Sequence, residues 1–279
     1  MRLYATEEHH DILSISWCPR GDFLASASLS SENVMVWNVS LGTGTPLLCA
    51  HGHGVNIVRW SHNSFYLFAG AFTNKVFIWE TRSWRCESWS LSKGMCQCAT
   101  WSPDGELLVF AETGTSSLWT LALHHIPPRI DGLLMKIKLD VGVLWDTDRK
   151  STGKSAEDLG VRSEKKIYLC VRELAWSFDR RGQRLALTVS PRVRVQDGGL
   201  DDAPATLPGD ELIVIYNVFF RPKLRFSPSG FLRSSADAGR PYDIHFWPAC
   251  RNGALLASAW ANGVITVYPL LYRSPSNEE

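Results

Sequence analysis

The chain has 279 residues, a formal net charge of +1 and 45% hydrophobic residues, a composition typical of a globular protein. The near-neutral charge argues against direct binding to nucleic acid or to an acidic membrane, and no run of about 18 apolar residues predicts a direct membrane span. The N-terminal residues lack an apolar signal core, and the 7 cysteines do not form a dense disulfide pattern, so we expect a nuclear or cytoplasmic protein with reduced thiols.

Tryptophans mark a repeat along the chain. A first series of aromatic residues stands where apolar stretches meet turns: Trp17, Trp60, Trp101, Trp176 and Phe246. A second series ends later apolar stretches: Trp37, Trp79, Trp119, Tyr216 and Tyr268. In the first three units both series recur every 40–45 residues or so, a period that indicates propeller blades.

The segments between these aromatic residues have the patterns of short β-strands. Apolar residues alternate with serines in Leu13–Trp17, whereas Phe23–Ser28 and Leu107–Phe110 are fuller apolar runs that fit central strands. Pro103 and Gly105 in Trp-Ser-Pro-Asp-Gly favour a tight turn. We therefore expect an all-β propeller with about five visible blades. The predicted blades are roughly 9–50, 51–90, 91–123, 166–218 and 240–272.

The regular period is interrupted twice. Segments 124–165 and 190–209 lengthen the spacing and are rich in polar residues, proline and glycine, so we expect loop insertions there. Within the first segment, apolar and polar residues alternate in the later part of Leu133–Leu139, which indicates an additional outer strand.

Two short motifs resemble metal or cofactor sites. Cys96-Gln97-Cys98 places two thiols on one face of a strand, but a zinc site needs four ligands, so core thiols are expected instead. His51-Gly52-His53 precedes the first strand of the second blade, where an imidazole is expected to brace neighbouring strands by hydrogen bonds. We therefore predict no metal site and no cofactor.

Other local patterns do not indicate an enzyme. Gly153-Lys154-Ser155 lacks the upstream glycine of a phosphate-binding loop, since Arg149 stands in its place. The basic segment 221–225 is interpreted as a solvated loop. No Gly-x-Ser-x-Gly nucleophile motif is present, which argues against a propeller hydrolase. We predict no catalytic residues and no small-molecule substrate.

The repeated unit resembles the WD40 family. It combines a histidine, an apolar strand, a Trp-Ser-Pro-Asp-Gly turn and a Val-x-Val/Ile-Trp strand. The Trp-Asp ending of the family is replaced by Trp37-Asn38, Trp79-Glu80 and Trp119-Thr120, and its turn aspartate by Ser31, Thr73 and Thr113. The resemblance implies a propeller whose hydrogen-bonded tetrad is incomplete in most blades.

A more specific resemblance is to the aladin family of WD-repeat nucleoporins. It is carried by Phe77–Trp89 with the Trp101–Gly105 turn, by Pro191–Gly198, and by Asn252–Leu256 with the ending Pro269–Tyr272. It implies a non-catalytic scaffold of the nuclear pore complex at the nuclear envelope, which supports nucleocytoplasmic transport. Other nucleoporins are the implied partners, including a transmembrane anchor of the pore.

The resemblance also implies a ring of about seven blades, of which this chain has only the C-terminal ones, so an open ring is expected. The alternative is another WD40 adaptor, such as a ubiquitin-ligase substrate receptor, which a basic, degron-reading face would favour. The residues expected to be structural in the blades are Trp17, Trp37, Trp60, Trp79, Trp101, Trp119 and Trp176. Trp84 and Trp89 are candidate partner contacts, with packing between blades as their alternative role.

Overall fold

A computed structural model of the chain describes residues 9–48, 54–92, 94–125, 128–129, 132, 134–139, 166–177, 184–194, 211–220, 223–233, 239–248, 250 and 253–271. These residues form strands and turns and contain no helix, which confirms the all-β prediction. Accordingly, no helix in the described part is long and apolar enough to cross a membrane. The chain divides into two compact units, Met1–Ile137 and Lys138–Glu279.

The first unit contains three four-stranded antiparallel sheets, which we call blades 1 to 3. Blade 1 consists of β1 (Ile12–Trp17), β2 (Phe23–Ser28), β3 (Asn33–Asn38) and β4 (Thr43–Leu48). Blade 2 consists of β5 (Val55–Trp60), β6 (Tyr66–Ala71), β7 (Lys75–Glu80) and β8 (Arg85–Ser90). In both blades the strands pair in chain order, as expected for hairpins joined by short turns.

Blade 3 takes its outer strand from beyond its predicted end. Strands β9 (Cys96–Trp101), β10 (Leu107–Glu112) and β11 (Ser117–Ala122) pair in order, and a two-residue pairing of β12 (His124–His125) with β13 (Pro128–Arg129) follows. The fourth strand is β14 (Leu134–Lys138), which pairs with β11. The outer strand indicated by alternation is therefore present inside the predicted insertion 124–165.

The second unit contains blades 4 and 5. Blade 4 consists of β15 (Lys166–Trp176), β16 (Arg184–Arg194), β17 (Leu212–Phe219) and β18 (Arg225–Leu232). Blade 5 has three strands in the described residues: β19 (Pro241–Phe246), β20 (Gly253–Trp260) and β21 (Ile265–Leu271). Blade 4 extends past its predicted end at 218, because its fourth strand, β18, begins at Arg225, the last residue of the basic segment 221–225. In addition, β16 continues to Arg194 and so enters the predicted loop 190–209.

A bulge recurs at the same place in the first strand of every blade. The register shifts between Ile12 and Ser14, between Val55 and Ile57, and between Val171 and Glu173. The same shift occurs at Cys96–Cys98 and at Pro241–Asp243. A bulge leaves one residue unpaired and increases the local twist. This shared irregularity allows residues of different blades to be aligned by structure rather than by sequence.

The hydrophobic cores lie between adjacent blades. Between blades 1 and 2, small and β-branched residues such as Ala25 and Val36 pack against larger ones such as Trp60 and Trp79. Between blades 2 and 3, Tyr66 stacks on Trp101 with ring centroids 6.0 Å apart. In the second unit, Ile213, Ile215, Phe246 and Leu256 belong to one core. Each such side chain contributes about 1.5–3 kcal/mol when fully buried, so the stability of a blade depends on its neighbours.

Polar side chains also connect the first strands of adjacent blades. The hydroxyl oxygens of Ser14 and Ser16 accept hydrogen bonds from the backbone N–H groups of Val58 (3.2 Å) and Trp60 (2.9 Å). In the next pair of blades, the Trp101 indole N–H donates to the Arg59 carbonyl oxygen at 3.1 Å. These bonds satisfy backbone groups that face away from the sheet and thereby fix the spacing of the first strands.

Candidate interaction surfaces

His9, Ser26 and Trp37 form a buried polar cluster in blade 1. The His9 Nε2 atom lies 2.8 Å from the Ser26 hydroxyl oxygen, which accepts a 2.9 Å hydrogen bond from the Trp37 indole N–H. Burial lowers the pKa of His9, and its buried Nδ1 atom has no hydrogen-bond partner among the described residues. Ser31, which replaces the turn aspartate, accepts a hydrogen bond from the Asn33 backbone instead. The cluster is thus an incomplete tetrad with a structural role.

The histidine predicted to brace the strands of blade 2 belongs to His51-Gly52-His53, which lies outside the described residues, so that role stays a prediction. His9 performs this role in blade 1 and was not singled out. Its position shortly before the first strand was the available signal, since the repeat pattern begins with a histidine.

Glu112 is the centre of a second buried cluster, in blade 3. The carboxylate is fully buried and accepts hydrogen bonds from the Gly94 backbone N–H (2.8 Å) and the Trp119 indole N–H (3.2 Å). Lys136 on β14 completes the cluster, with its ammonium 3.1 Å from the carboxylate and 4.9 Å from the Trp119 ring centroid. Because this ion pair attaches the outer strand to the blade, its geometry supports a structural function. The ion pair was not predicted from the sequence, because Lys136 lies in the predicted insertion 124–165.

Trp119 is not the structural equivalent of Trp37 and Trp79. Trp37 and Trp79 pair with Leu24 and Leu67 on the neighbouring strand. In blade 3 the equivalent Leu108 pairs with Leu121, and Trp119, two residues before Leu121 on β11, pairs with Phe110. The constant tryptophan spacing therefore concealed a two-residue shift, which keeps the indole on the same face because side chains alternate with a period of two.

The paired thiols are buried in the core. Cys96 and Cys98 are 0% and 2% exposed, and burial raises the pKa of the Cys96 thiol. A thiol that retains its proton is a poor metal ligand and a poor nucleophile. Among the described residues, no group of three or more histidine, cysteine or acidic side chains is placed to hold a metal ion.

The two candidate contact residues take part in packing. Trp84 is half-buried, and its ring is edge-on to Trp60 and Phe23 at centroid distances of 6.1 and 6.4 Å. Its φ of 55° is unfavourable for a bulky residue, so the packing must hold it there. Trp89 is half-buried against the core between blades 2 and 3. A partner contact at these two residues stays a prediction.

Five of the seven tryptophans expected to be structural are buried: Trp37, Trp60, Trp79, Trp101 and Trp176. Trp119 is half-buried, and Trp17 differs from the expectation because it is exposed. The Trp17 side chain is 54% exposed, although it is the structural equivalent of Trp60, which is 5% exposed. The reason is that no described sheet of the first unit covers this face of blade 1, whereas blade 1 covers the same face of blade 2.

Exposed apolar side chains form two flanks and one rim. The blade 1 flank consists of Ile12, Leu13, Ile15 and Trp17 on β1, and the blade 5 flank consists of Ile265, Val267 and Leu271 on β21. The apolar rim consists of Leu29 and Phe72, which follow β2 and β6. Their backbone N–H groups donate to the carbonyl oxygens of Asp11 and Gly54, so the two residues occupy equivalent turns.

Comparisons with known proteins agree with this architecture. The family "WD domain, G-beta repeat" matches residues 1–38 and 44–80. Aladin of Arabidopsis thaliana is 30% identical over 270 residues, which is 96% of this chain and 52% of aladin. The chain is therefore similar to aladin, and its residues 1–38 and 44–80 are similar to WD40 repeats. It spans about half of aladin's length.

Two further relatives match shorter parts. Human protein NEDD1 is 31% identical over 94 residues, 33% of this chain and 14% of NEDD1. The chromatin assembly factor 1 subunit FAS2 homolog of Oryza sativa subsp. japonica is 26% identical over 156 residues, 50% of this chain and 30% of that protein.

Solved structures support the β-propeller fold. The β-propeller domain of Cps50 (Swd1) from Myceliophteria thermophila matches with a TM-score of 0.51 at 13% identity, over 93% of this chain and 84% of that one. Kuenenia stuttgartiensis hydrazine synthase matches with a TM-score of 0.55 at 12% identity, over 93% and 64%. At such identities the likeness concerns the fold alone. The propeller and the likeness to aladin support a protein-interaction role.

Proposed function

We propose that this chain is a non-catalytic scaffold of the nuclear pore complex, which binds other nucleoporins and supports nucleocytoplasmic transport. The single observation that carries the proposal is the 30% identity to aladin across 96% of the chain. A transmembrane nucleoporin of the pore is the proposed anchor, and the nuclear envelope is the proposed location.

The arrangement of the blades suits a scaffold. In the first unit, blades 1, 2 and 3 are fixed to one another by buried cores, and hydrogen bonds also join the first strands of blades 1 and 2, so the turns of these blades are held at fixed separations. The apolar rim places Leu29 and Phe72 on equivalent turns of adjacent blades, where they are accessible to a partner. Exposed apolar groups on a rigid surface are typical of protein contacts.

The ionisable groups described above favour binding over catalysis. Glu112 is engaged by Lys136, and His9 is buried against Ser26. The Nδ1 atom of His62 donates a 2.9 Å hydrogen bond to the Ser102 carbonyl oxygen of the next blade. Cys96 is buried. Each of these groups serves the packing of blades, which supports the proposal of a non-catalytic protein.

Imaging of the tagged protein, expressed from its own locus, tests the proposal. A punctate nuclear rim, with nucleoporins recovered by proximity labelling, is the expected result. Diffuse cytoplasmic signal with ubiquitin-ligase subunits recovered instead would overturn it in favour of the adaptor alternative. Within the same experiment, Leu29→Asp with Phe72→Asp should reduce the recovery of partners, whereas Leu41→Asp, on an exposed turn away from the rim, should not.

A further inference from the structure

We propose that the hairpin formed by β17 and β18 binds an acidic segment of a partner protein. Its end, which we call the hairpin tip, consists in the described residues of Phe219, Phe220, Lys223 and Arg225. The scaffold and the adaptor alternative both act by binding proteins, so the inference does not depend on which of them is right. It also uses a different surface from the apolar rim, which belongs to the first unit.

The hairpin of β17 and β18 is longer than its equivalents in blades 1 and 2. Tyr216 pairs with a leucine of the second strand of its blade, as Trp37 and Trp79 do, so these three residues are equivalent. In blades 1 and 2 the third strand ends one residue after this position, whereas β17 continues for three residues and its last pair joins Phe219 to Arg225. Two additional residues per strand extend the hairpin by about 7 Å. The tip is therefore exposed because its own strands are long, not because a neighbouring sheet is absent.

Aromatic contacts hold the tip in place. Phe220 stacks on Trp176, the buried last residue of β15, with ring centroids 6.2 Å apart. The Arg225 guanidinium lies over the Phe219 ring, 4.9 Å from its centroid. A guanidinium stacked on an aromatic ring keeps the N–H groups at its edge available to a partner. Because these side chains are ordered before binding, less conformational freedom is lost when a partner binds.

The charge at the tip is positive and unbalanced. Lys223 and Arg225 are both exposed, and neither forms an ion pair with a described residue. The described carboxylates of the second unit lie elsewhere: Glu173 and Asp243 are within β15 and β19, and Glu211 precedes β17 at the end away from the tip. An acidic segment therefore meets two cations at the tip and no described carboxylate that would repel it.

The chemistry of the tip favours carboxylates beside an apolar side chain. An arginine guanidinium binds a carboxylate through two parallel N–H···O hydrogen bonds, and a lysine ammonium supplies a further charged contact. The side chains of Phe219 and Phe220 are 39% and 43% exposed and give an apolar surface in the same tip. The bound segment is therefore expected to contain at least two acidic residues next to an aromatic or aliphatic one.

Nucleic acid fits this surface less well. Binding along a phosphate backbone depends on many cationic contacts, and its affinity rises with their number. The described residues of the tip include two cations, Lys223 and Arg225, and the formal net charge of the whole chain is only +1. A short acidic segment needs no more than these two contacts.

Fluorescence polarisation with the purified chain tests the proposal. The probe is a labelled peptide of glutamates around a central phenylalanine, and the control peptide has glutamine in place of every glutamate. We expect the glutamate peptide to bind and the glutamine peptide to bind at least about tenfold more weakly. The affinity for the glutamate peptide should also fall as sodium chloride rises from about 50 to 500 mM, because salt screens exposed ion pairs.

Charge reversal at the tip is the decisive step. Arg225→Glu and, separately, Lys223→Glu should each weaken binding of the glutamate peptide about tenfold or more. Lys75→Glu is the matched control, because Lys75 is exposed at the start of β7 and makes the same change of charge. It should leave the affinity within about twofold of the wild type. Lys223 lies outside the strand pairing, so its variant keeps the test valid if Arg225→Glu disturbs the hairpin, which circular dichroism and melting temperature will show.

Three outcomes would overturn the proposal. The first is a wild-type chain that does not bind the glutamate peptide at concentrations up to about 1 mM. The second is equal binding by the wild type and both tip variants, or equal affinity for the glutamate and glutamine peptides. The third is a labelled uridine oligonucleotide that binds more tightly than the glutamate peptide and depends on Lys223 and Arg225, since the tip would then be a nucleic-acid surface.

Discussion

Ser16 and Trp60 lie on different blades, and the Ser16 hydroxyl oxygen accepts a 2.9 Å hydrogen bond from the Trp60 backbone N–H. This bond joins the first strands of two sheets that share no ladder pairing. Ser16→Ala leaves the partly buried N–H without its acceptor, so we expect a loss of about 1–2 kcal/mol in the free energy of unfolding. Urea denaturation measures it. Ser40→Ala, at an exposed position, should be neutral.

Trp101 anchors blade 3 to blade 2. It is 1% exposed, stacks on Tyr66, and donates to the Arg59 carbonyl oxygen. We expect Trp101→Ala to cost about 3–5 kcal/mol, because it creates a cavity and leaves a carbonyl unsatisfied. Trp247→Ala is the control, since that ring is 62% exposed. Similar melting temperatures for the two variants would contradict the packing role of Trp101.

The ion pair of Glu112 and Lys136 should respond asymmetrically to substitution. The Glu112 side chain is fully buried, whereas that of Lys136 is 34% exposed. Lys136→Met leaves a buried carboxylate without its counter-charge and should cost about 3 kcal/mol. Glu112→Gln keeps hydrogen-bonding capacity and lets Lys136 turn to water, so its cost should be about 1–2 kcal/mol. Chemical denaturation at neutral pH compares them, and the reverse order would contradict the assigned burial.

Two histidines should make the chain less stable in mild acid. Burial lowers the pKa of His9 and of His62 from the ordinary value of 6.5. The unfolded chain therefore binds more protons than the folded chain between each lowered pKa and 6.5. The stabilising contribution of the two neutral histidines to the free energy of unfolding is therefore complete above pH 6.5 and is lost as the pH falls toward their pKa values in the folded chain.

Denaturation at several pH values measures this effect. His62→Gln should give a free energy of unfolding that falls less steeply below pH 6.5 than that of the wild type. His10→Gln is the matched control, because His10 is exposed beside Asp11. Parallel pH profiles for wild type and His62→Gln would show that His62 is not the responsible group.

Much of the fold could be predicted from the sequence, because large aromatic residues that pack between sheets mark each repeat. The period of tryptophans located the first strands of blades 1 to 4, and alternation over 133–139 identified the outer strand β14. The exposure of Trp17 could not be predicted from the sequence, because burial of a blade face depends on a neighbouring sheet rather than on the face itself.

The binding surfaces were much less predictable. Trp84 stood out by composition, but its ring is engaged by Phe23 and Trp60. Leu29 and Phe72 were not singled out, because single apolar residues in turns are common. Only the equivalence of their hydrogen bonds to Asp11 and Gly54 shows that they share a rim. Such equivalence depends on the pairing register of the strands, which cannot be read from the sequence.

The recurrent bulge has different consequences in different blades. It releases one side chain per blade from the ladder, at Leu13, Asn56, Gln97, Arg172 and Tyr242. These five are aliphatic, amide, cationic and aromatic, with no shared chemistry. The side chains of Leu13 and Tyr242 are exposed, whereas Asn56 donates to the Cys96 carbonyl oxygen of blade 3 and Arg172 donates to the Ser190 hydroxyl oxygen. A substitution at the bulge therefore changes only the surface in blades 1 and 5, but it removes a hydrogen bond that holds strands together in blades 2 and 4.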